Sequence, residues 1–263
     1  MSRKPSTHRP QARVPTLSDF MIQVRGGLSR REAAEITGVS EHYIRNIEDG
    51  DRHPKAAIVA QLIAGYGLNM SQALHVRDLL APPLDLTPTE TLKEQVLQSP
   101  GLLDHLDLLE SKGVLAAYVD PLLNVLLLNK HMVRAYPRLD VVGNVAPWIF
   151  GPHSRDILTD RGNEKDQVVA LLKAVMGRHR DCPQTIHLLR RLRPIPEFNR
   201  IWNTRTRIAY GRETTDYLRW RDQFTKEPLT ASIYSTDVEV RDVVLYLAFI
   251  KDDAGMQRNI SMS

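Results

Sequence analysis

Hydrophobic positions change their rhythm part-way along the chain. From Leu17 to Leu80 they recur at three- and four-residue intervals, in short runs punctuated by Gly26-Gly27, Gly38, Gly50, Gly65 and Gly67. This is the spacing of amphipathic helices separated by breaks, and it predicts five, at about 17–25, 29–36, 40–47, 55–64 and 70–79. "APPLDLTPTE", residues 81–90, then interrupts the pattern with three prolines and reads as a linker. A helix carrying Leu92, Val96 and Leu97 follows, and another around Leu102–Leu109. From Gly113 the pattern becomes strand-like: "GVLAAYVDPLLNVLLLN" predicts two strands about a turn at Asp120-Pro121, with a short helix at "KHMVRAYP". Helical spacing returns in "DQVVALLKAVMGRH" and "QTIHLLRRL". Strands close the chain at "DYLRWRDQF", "LTASIYST" and "VVLYLAFI".

With 263 residues, the chain has room for a small all-α domain followed by a larger α+β one. A hydrophobic content of 42% and a charged content of 25% exclude wholesale disorder. The formal charge of +4 permits a polyanionic partner without demanding one. Its distribution says more. Residues 1–16 carry Arg3, Lys4, Arg9 and Arg13 and no acid, as a flexible basic arm would. A second basic run, Arg178 to Arg212, is expected to decorate solvated helix faces. The single cysteine, Cys182, excludes an internal disulfide. No secretory signal is legible, and the most apolar segment is broken by Asp120, Pro121 and Asn124, so a cytoplasmic protein with no membrane partner is expected.

Catalytic chemistry finds no footing. His179, Asp181, Cys182 and His187 match no standard metal-site spacing, and His153, Ser154 and Asp156 lack the elbow a nucleophile needs. There is no phosphate loop, metalloprotease motif or dinucleotide fingerprint. The expectation is no enzyme: no catalytic residues, no metal and no cofactor.

The informative stretch is "LSRREAAEITGVSEHYIRNIEDG", Leu28 to Gly50. Ser29 and Ser40 are placed to cap helices, and Glu32 completes a capping box with Ser29. Gly38 sits where the chain must reverse. Ala33, Ala34, Ile36, Val39, Ile44 and Ile47 fall at core-facing spacing. Arg30, Arg31, Glu41, His42, Arg45 and Asn46 are left outward, as on a helix that reads a major groove. With Gly38-Val39-Ser40 and Ile44-Arg45-Asn46-Ile47-Glu48-Asp49-Gly50 in register, the stretch resembles the helix-turn-helix of the phage-repressor, or XRE-type, family. The resemblance implies that Arg30 contacts phosphate or an outer base, with Arg31 and Ser40 also among the DNA-binding residues. Glu41, His42, Arg45 and Asn46 would face base edges, with Tyr43 near the sugar-phosphate wall. Arg52, His53 and Lys55 would hold phosphates. The family often has glutamine where Arg30 stands, and arginine there favours guanine or phosphate.

Further on, "GVLAAYVDPLLNVLLLNKHMVRAYP", "GNVAPWIFGPHSRDIL" and "IPEFNRIWNTRTRI" resemble, in that order, the ligand-binding domain of the MmyB-like transcription regulators, a family largely of actinomycetes. Lys130 and "TDRGNEKD" depart from its pattern. The resemblance implies a PAS-like fold in which an antiparallel sheet and flanking helices enclose an apolar pocket, with Tyr118, Leu126, Leu128, Trp148, Phe150, Phe198 and Trp202 as candidate ligand contacts.

The expected fold class is therefore multidomain: an all-α five-helix, phage-repressor-like helix-turn-helix domain at 17–80 and an α+β PAS-like ligand-binding and dimerisation domain at 91–251. The arm at 1–16, the Pro-rich linker at 81–90 and a flexible tail at 252–263 complete it. The expected function is a homodimeric, sequence-specific regulator. Two recognition helices would enter successive major grooves of a pseudo-palindromic duplex operator, roughly 34 Å apart, under control of an apolar or fatty-acid-like ligand. Two alternatives stand beside it. In one, the head acts through protein partners, antitoxin-like or as a co-regulator, and the PAS-like domain is a ligand-free dimerisation module. In the other, the second domain is a small-molecule enzyme.

Overall fold

A computed structural model describes residues 11–251. The first ten residues of the expected arm and all of the expected tail lie outside them. Five helices form the head: α1 (Leu17–Arg25), α2 (Arg30–Thr37), α3 (Glu41–Glu48), α4 (Ala56–Gly65) and α5 (Met70–Leu80). Their starts are where the capping chemistry put them. Thr16 accepts from Asp19 N–H, Ser29 and Glu32 form the capping box, Ser40 accepts from Tyr43 N–H, and Asn69 and Gln72 make a second box. Gly38 ends α2 in the left-handed conformation at φ +69°. Phe20, Met21, Ala33, Val39, Ile44, Ile47 and Leu62 fill the core.

Ile36 corrects the expectation of a core position, being 49% exposed. The inward face of α2 is taken by Ala33 and Thr37, four residues apart. Their small side chains let α2 approach α4 so closely that a β-carbon on Gly65 would lie 2.5 Å from Thr37 Cα.

The larger domain begins with α6 (Thr89–Leu97) and α7 (Pro100–Ser111), then β1 (Leu115–Val119) and β2 (Val125–Leu128). Three short helices follow, α8 (Lys130–Ala135), α9 (Leu139–Val142) and α10 (Val145–Phe150). Next come the long α11 (Arg161–Arg178), α12 (Pro183–Leu192) and α13 (Pro196–Thr204), and finally β3 (Leu218–Arg221), β4 (Pro228–Asp237) and β5 (Val244–Lys251). The strands form one antiparallel sheet in the order β2-β1-β5-β4-β3. β1 is buried on both faces, which explains why its sequence is an unbroken apolar run. Ala116 and Tyr118 face Leu92, Val96 and Leu102 of α6 and α7. Leu115, Ala117 and Val119 face the larger core under α8 to α13.

Two buried asparagines fix the turns. Asn129 caps α8, accepts from Ala116 N–H and donates to Val114 O. Asn144 caps α10 and donates to Leu122 O and Asn124 Oδ1, tying that helix to the β1–β2 turn.

Three expectations about the connections are corrected. Residues 11–16, expected to belong to the flexible arm, pack on the larger domain. Ala12 is fully buried, its N–H donates to Asn199 Oδ1 at 2.8 Å, and Arg193 Nε donates to its carbonyl at 2.7 Å. The Pro-rich linker is strapped down as well. Leu84 N–H donates to Arg178 O, and His179 Nδ1 and Cys182 Sγ both meet Leu84 O. Prolines make such a segment stiff, and its backbone groups here find partners on α11 and α12. The basic run is not a solvated face throughout. Arg180 donates to Asp78 O, Gly177 O and Ala81 O, Arg193 to Ala12 O, and Arg212 pairs with Glu164. A planar five-donor fork suits exposed carbonyls at a junction between elements.

The head is seated on α11. Ala174 of α11 and Ile208 complete the head's own core. Gln72 donates to Thr206 O, and the Tyr210 hydroxyl meets Asp78 Oδ2 at 2.5 Å. At the centre His75 lies against Gly177, where an added β-carbon would fall 2.6 Å from the ring. Burial drives the His75 imidazole pKa from its ordinary 6.5 to about 3, with the Lys173 charge a lesser cause, so the ring is neutral.

Gly177→Ala should therefore destabilise the chain, although alanine in a helix interior is worth about 1 kcal/mol over glycine. Adding His75→Ala, which vacates the space, should restore most of the loss. Chemical denaturation of the single and double variants checks this.

Candidate functional site

The recognition face is built from the anchored side of α3 outward. Ile44 and Ile47 are buried, which turns Glu41, His42 and Arg45 fully to solvent, with Asn46 and Tyr43 half-buried beside them. The Asn46 amide meets His42 Nε2 at 3.3 Å, one helical turn apart. Arg45 has no side-chain partner among the described residues. The Arg52 guanidinium lies 5.7 Å from the Tyr43 ring centre. His53 and Lys55 are exposed beside it, ahead of α4, whose start has no side-chain cap among the described residues. Ser40 spends its oxygen on the α3 cap, and the exposed Arg31 pairs with Glu35 at 3.3 Å.

Arg30 differs from the rest. Its Nε donates to Glu48 Oε2 at 2.8 Å, while Arg25 Nε meets Glu48 Oε1 at 2.5 Å. Glu48 is only 5% exposed, so two arginines converge on one buried carboxylate. Burial pushes the Glu48 pKa up, but hydrogen bonds and charge from Arg25 and Arg30 outweigh it, and the net shift is downward. This pair of ion pairs joins α1, α2 and α3, and it sets the angle at which α3 presents its face.

The second candidate site is a cavity of about 350 Å³ between the sheet and the helices. Ala117, Val119, Ile233 and Ala248 form the sheet wall, and Met132, Ile149, Val168 and Leu171 the helical one. A polar corner is made by Gln167, Tyr136 and the buried pair of Arg212 with Glu164, in which Arg212 Nη1 meets Oε1 at 2.9 Å. The stretch Tyr210–Arg212 lines the same cavity.

Of the residues expected from sequence to touch a ligand, only Leu128 lines this cavity. Tyr118 and Leu126 point to the opposite sheet face, where the Tyr118 hydroxyl donates to Leu102 O. Trp148 is fully buried, donates to Pro137 O at 2.8 Å, and packs on Tyr136, which does line the cavity. Phe150, Phe198 and Trp202 form an aromatic row at 5.5 and 5.3 Å between ring centres. Trp202 ends that row at the seam with residues 11–16, donating to Arg13 O. Glu164, Gln167 and Arg212 were not singled out as contacts. Glu164 and Gln167 sit in the polar run that opens α11, and Arg212 in the connection after α13, so no pattern marked them.

A five-helix head with an outward polar recognition helix, joined to an antiparallel-sheet domain with a cavity between sheet and helices, is the architecture of a ligand-binding transcription regulator. The helix-turn-helix domain family matches residues 12–75, and the MmyB-like transcription regulator ligand binding domain family matches residues 99–254. The chain belongs to the MmyB-like transcription regulators, and it is a DNA-binding regulator with a ligand-binding domain. Both families are regulator domains and not enzymes. No curated protein matches the chain. Among the described residues no helix is long and apolar enough to cross a membrane.

Glu48→Ala leaves Arg25 and Arg30 without their shared carboxylate; because both arginines reach solvent, head stability should fall by about 1–3 kcal/mol, the cost of losing charge-assisted hydrogen bonds. Because the folded pKa of Glu48 is depressed, its contribution is complete above its unfolded value near 4.5 and is lost as pH falls through the folded value. Glu48→Gln should flatten this part of the acid limb. Stability against pH, followed by denaturant titration, checks both.

Proposed function

We propose that this protein is a homodimeric, sequence-specific regulator whose operator affinity is set by an apolar small molecule, of fatty-acid-like chemistry, held in the sheet cavity. The observation that carries the reading is the position of residues 206–212. Tyr210–Arg212 line the cavity, while Thr206, Ile208 and Tyr210 hold α5 and the core of the head. An occupant that prefers one arrangement of this segment favours one seating of the head, and by linkage changes affinity for DNA. The lining supports an apolar occupant, with the Arg212–Glu164 corner as its polar reference point.

On the DNA side, His42, Arg45 and Asn46 read base edges. Glu41 faces base edges with them, Arg31, Arg52, His53 and Lys55 hold phosphates, and Ser40 and Tyr43 lie at the edges of the contact. Arg30 acts mainly by aiming α3 through Glu48. The pairing of recognition helices on a two-fold operator follows from the dimer.

Selection from a random duplex pool at physiological salt tests the base-reading part. An enriched two-fold-symmetric motif is expected, and it should vanish in the His42→Ala/Arg45→Ala/Asn46→Ala variant. Equal binding by both proteins would favour the reading in which the head acts through protein partners.

The coupling has its own test, with dodecanoate as probe and the selected operator as reporter. Tyr210→Phe removes the hydroxyl bonded to Asp78 but keeps the cavity wall. It should leave dodecanoate binding within about twofold of the wild type while reducing the ratio of operator affinities with and without the probe. An unchanged ratio places the coupling elsewhere.

A further inference from the structure

A second cavity, about 320 Å³, lies outside the sheet domain's interior, at the seam where residues 11–16, the head and the larger domain meet. Its walls include Arg13, Asp19 and Gln23 from the N-terminal side, His75 from α5, Lys173 from α11 and Trp202 from α13. Lys173 is only 4% exposed. Its ammonium donates to Arg205 O at 2.5 Å and to Gln23 Oε1 at 3.3 Å, and lies 5.7 Å from the centre of the Trp202 ring. Every one of these partners is neutral. No carboxylate comes within ion-pair distance of Lys173 among the described residues. A buried charge with only neutral partners is costly to maintain, and this one opens on a cavity.

The other ionisable groups in the seam sharpen the point. His75 is neutral, and its buried Nδ1 has no hydrogen-bond partner among the described residues. Asp19 shares its carboxylate with Thr16, whose hydroxyl donates to it at 2.9 Å. Arg13 is exposed and adds a second positive charge at the rim. Two cations therefore face one committed carboxylate, and the indole of Trp202 and the ring of Phe20 supply apolar walls.

From this geometry we infer that the seam is a binding site for a small organic carboxylate with a flat apolar body, the carboxylate taken by Lys173 and the body lying along Trp202. The site is separate from the sheet cavity and does not rest on the ligand or the DNA specificity proposed above. Since its walls come from three parts of the chain, an occupant holds the head, the N-terminal segment and the larger domain together.

Benzoate is the probe and benzamide its neutral counterpart, titrated against the full chain at matched ionic strength with the melting temperature as readout. Benzoate should raise the melting temperature progressively, as a ligand of the native state does, and benzamide should not. Two variants locate the site. Gln23→Glu places a carboxylate where a neutral oxygen now meets Lys173, giving the ammonium a counter-charge of its own, and Lys173→Met removes the ammonium with little change in length. Both should weaken the benzoate response by more than about tenfold in concentration. A wild-type response equal for benzoate and benzamide would overturn the proposal. So would no benzoate response at all, or a response that survives unchanged in Gln23→Glu.

Discussion

Helix α11 is the member on which everything else is assembled. Along its length Val168, Val169, Leu172 and Met176 enter the core beneath the sheet, while Ala174 enters the core of the head. Gly177 gives way to His75, and the carbonyl of Arg178 receives the linker. A helix buried on so many sides shows no clear amphipathic stripe. Its buried polar residues are held by distant partners, Glu164 by Arg212 and Gln167 by Arg207 and Gly211 O, while Lys173 meets only the neutral oxygens of Gln23 and Arg205. The angle between reading head and ligand-binding domain is set by how α5 and the 206–210 segment lie on this one helix.

Much of the architecture was legible because it is written locally. Caps at Ser29 and Ser40, read in the sequence, and at Thr16 and Asn69 fix four of the helix starts, and the glycine at 38 fixes one stop; all five helices, the uncapped α4 included, begin and end within a residue of their predicted places. The strands likewise follow from runs of apolar residues bounded by turn chemistry, as at Asp120, whose carboxylate accepts from Asn124 N–H and Thr89 Oγ1.

The remainder depended on partners distant in sequence. Periodicity placed Ile36 inside, but only the contact of α2 with Gly65 decides which face of that helix is inward. Composition marked residues 11–16 and 81–90 as loose, whereas their backbone groups are claimed by Asn199, Arg193, Arg178 and His179. Aromatic residues drew attention as ligand contacts, yet Tyr118 and Trp148 have their polar atoms satisfied inside the protein and serve the cores. The walls of the cavity are largely small and aliphatic side chains such as Ala117 and Ala248, which carry no signal of their own in a sequence. The Arg30–Glu48–Arg25 arrangement belongs to the same class, since which arginine meets the carboxylate depends on three helices at once.

The burial of Ala12 bears on the order in which the chain is made. Its N–H partner, Asn199, lies 187 residues downstream, and Ile208, which closes the core of the head, comes later still. A ribosome adding about 5–20 residues per second would release the complete five-helix head many seconds before its seat exists. During that interval the surface destined for Ala174 and Ile208 is open to water and to other chains. The DNA-reading head is thus made before the segments that seat it: Glu48 aims the recognition helix within the head, while the seating of the head on the larger domain waits for residues made later.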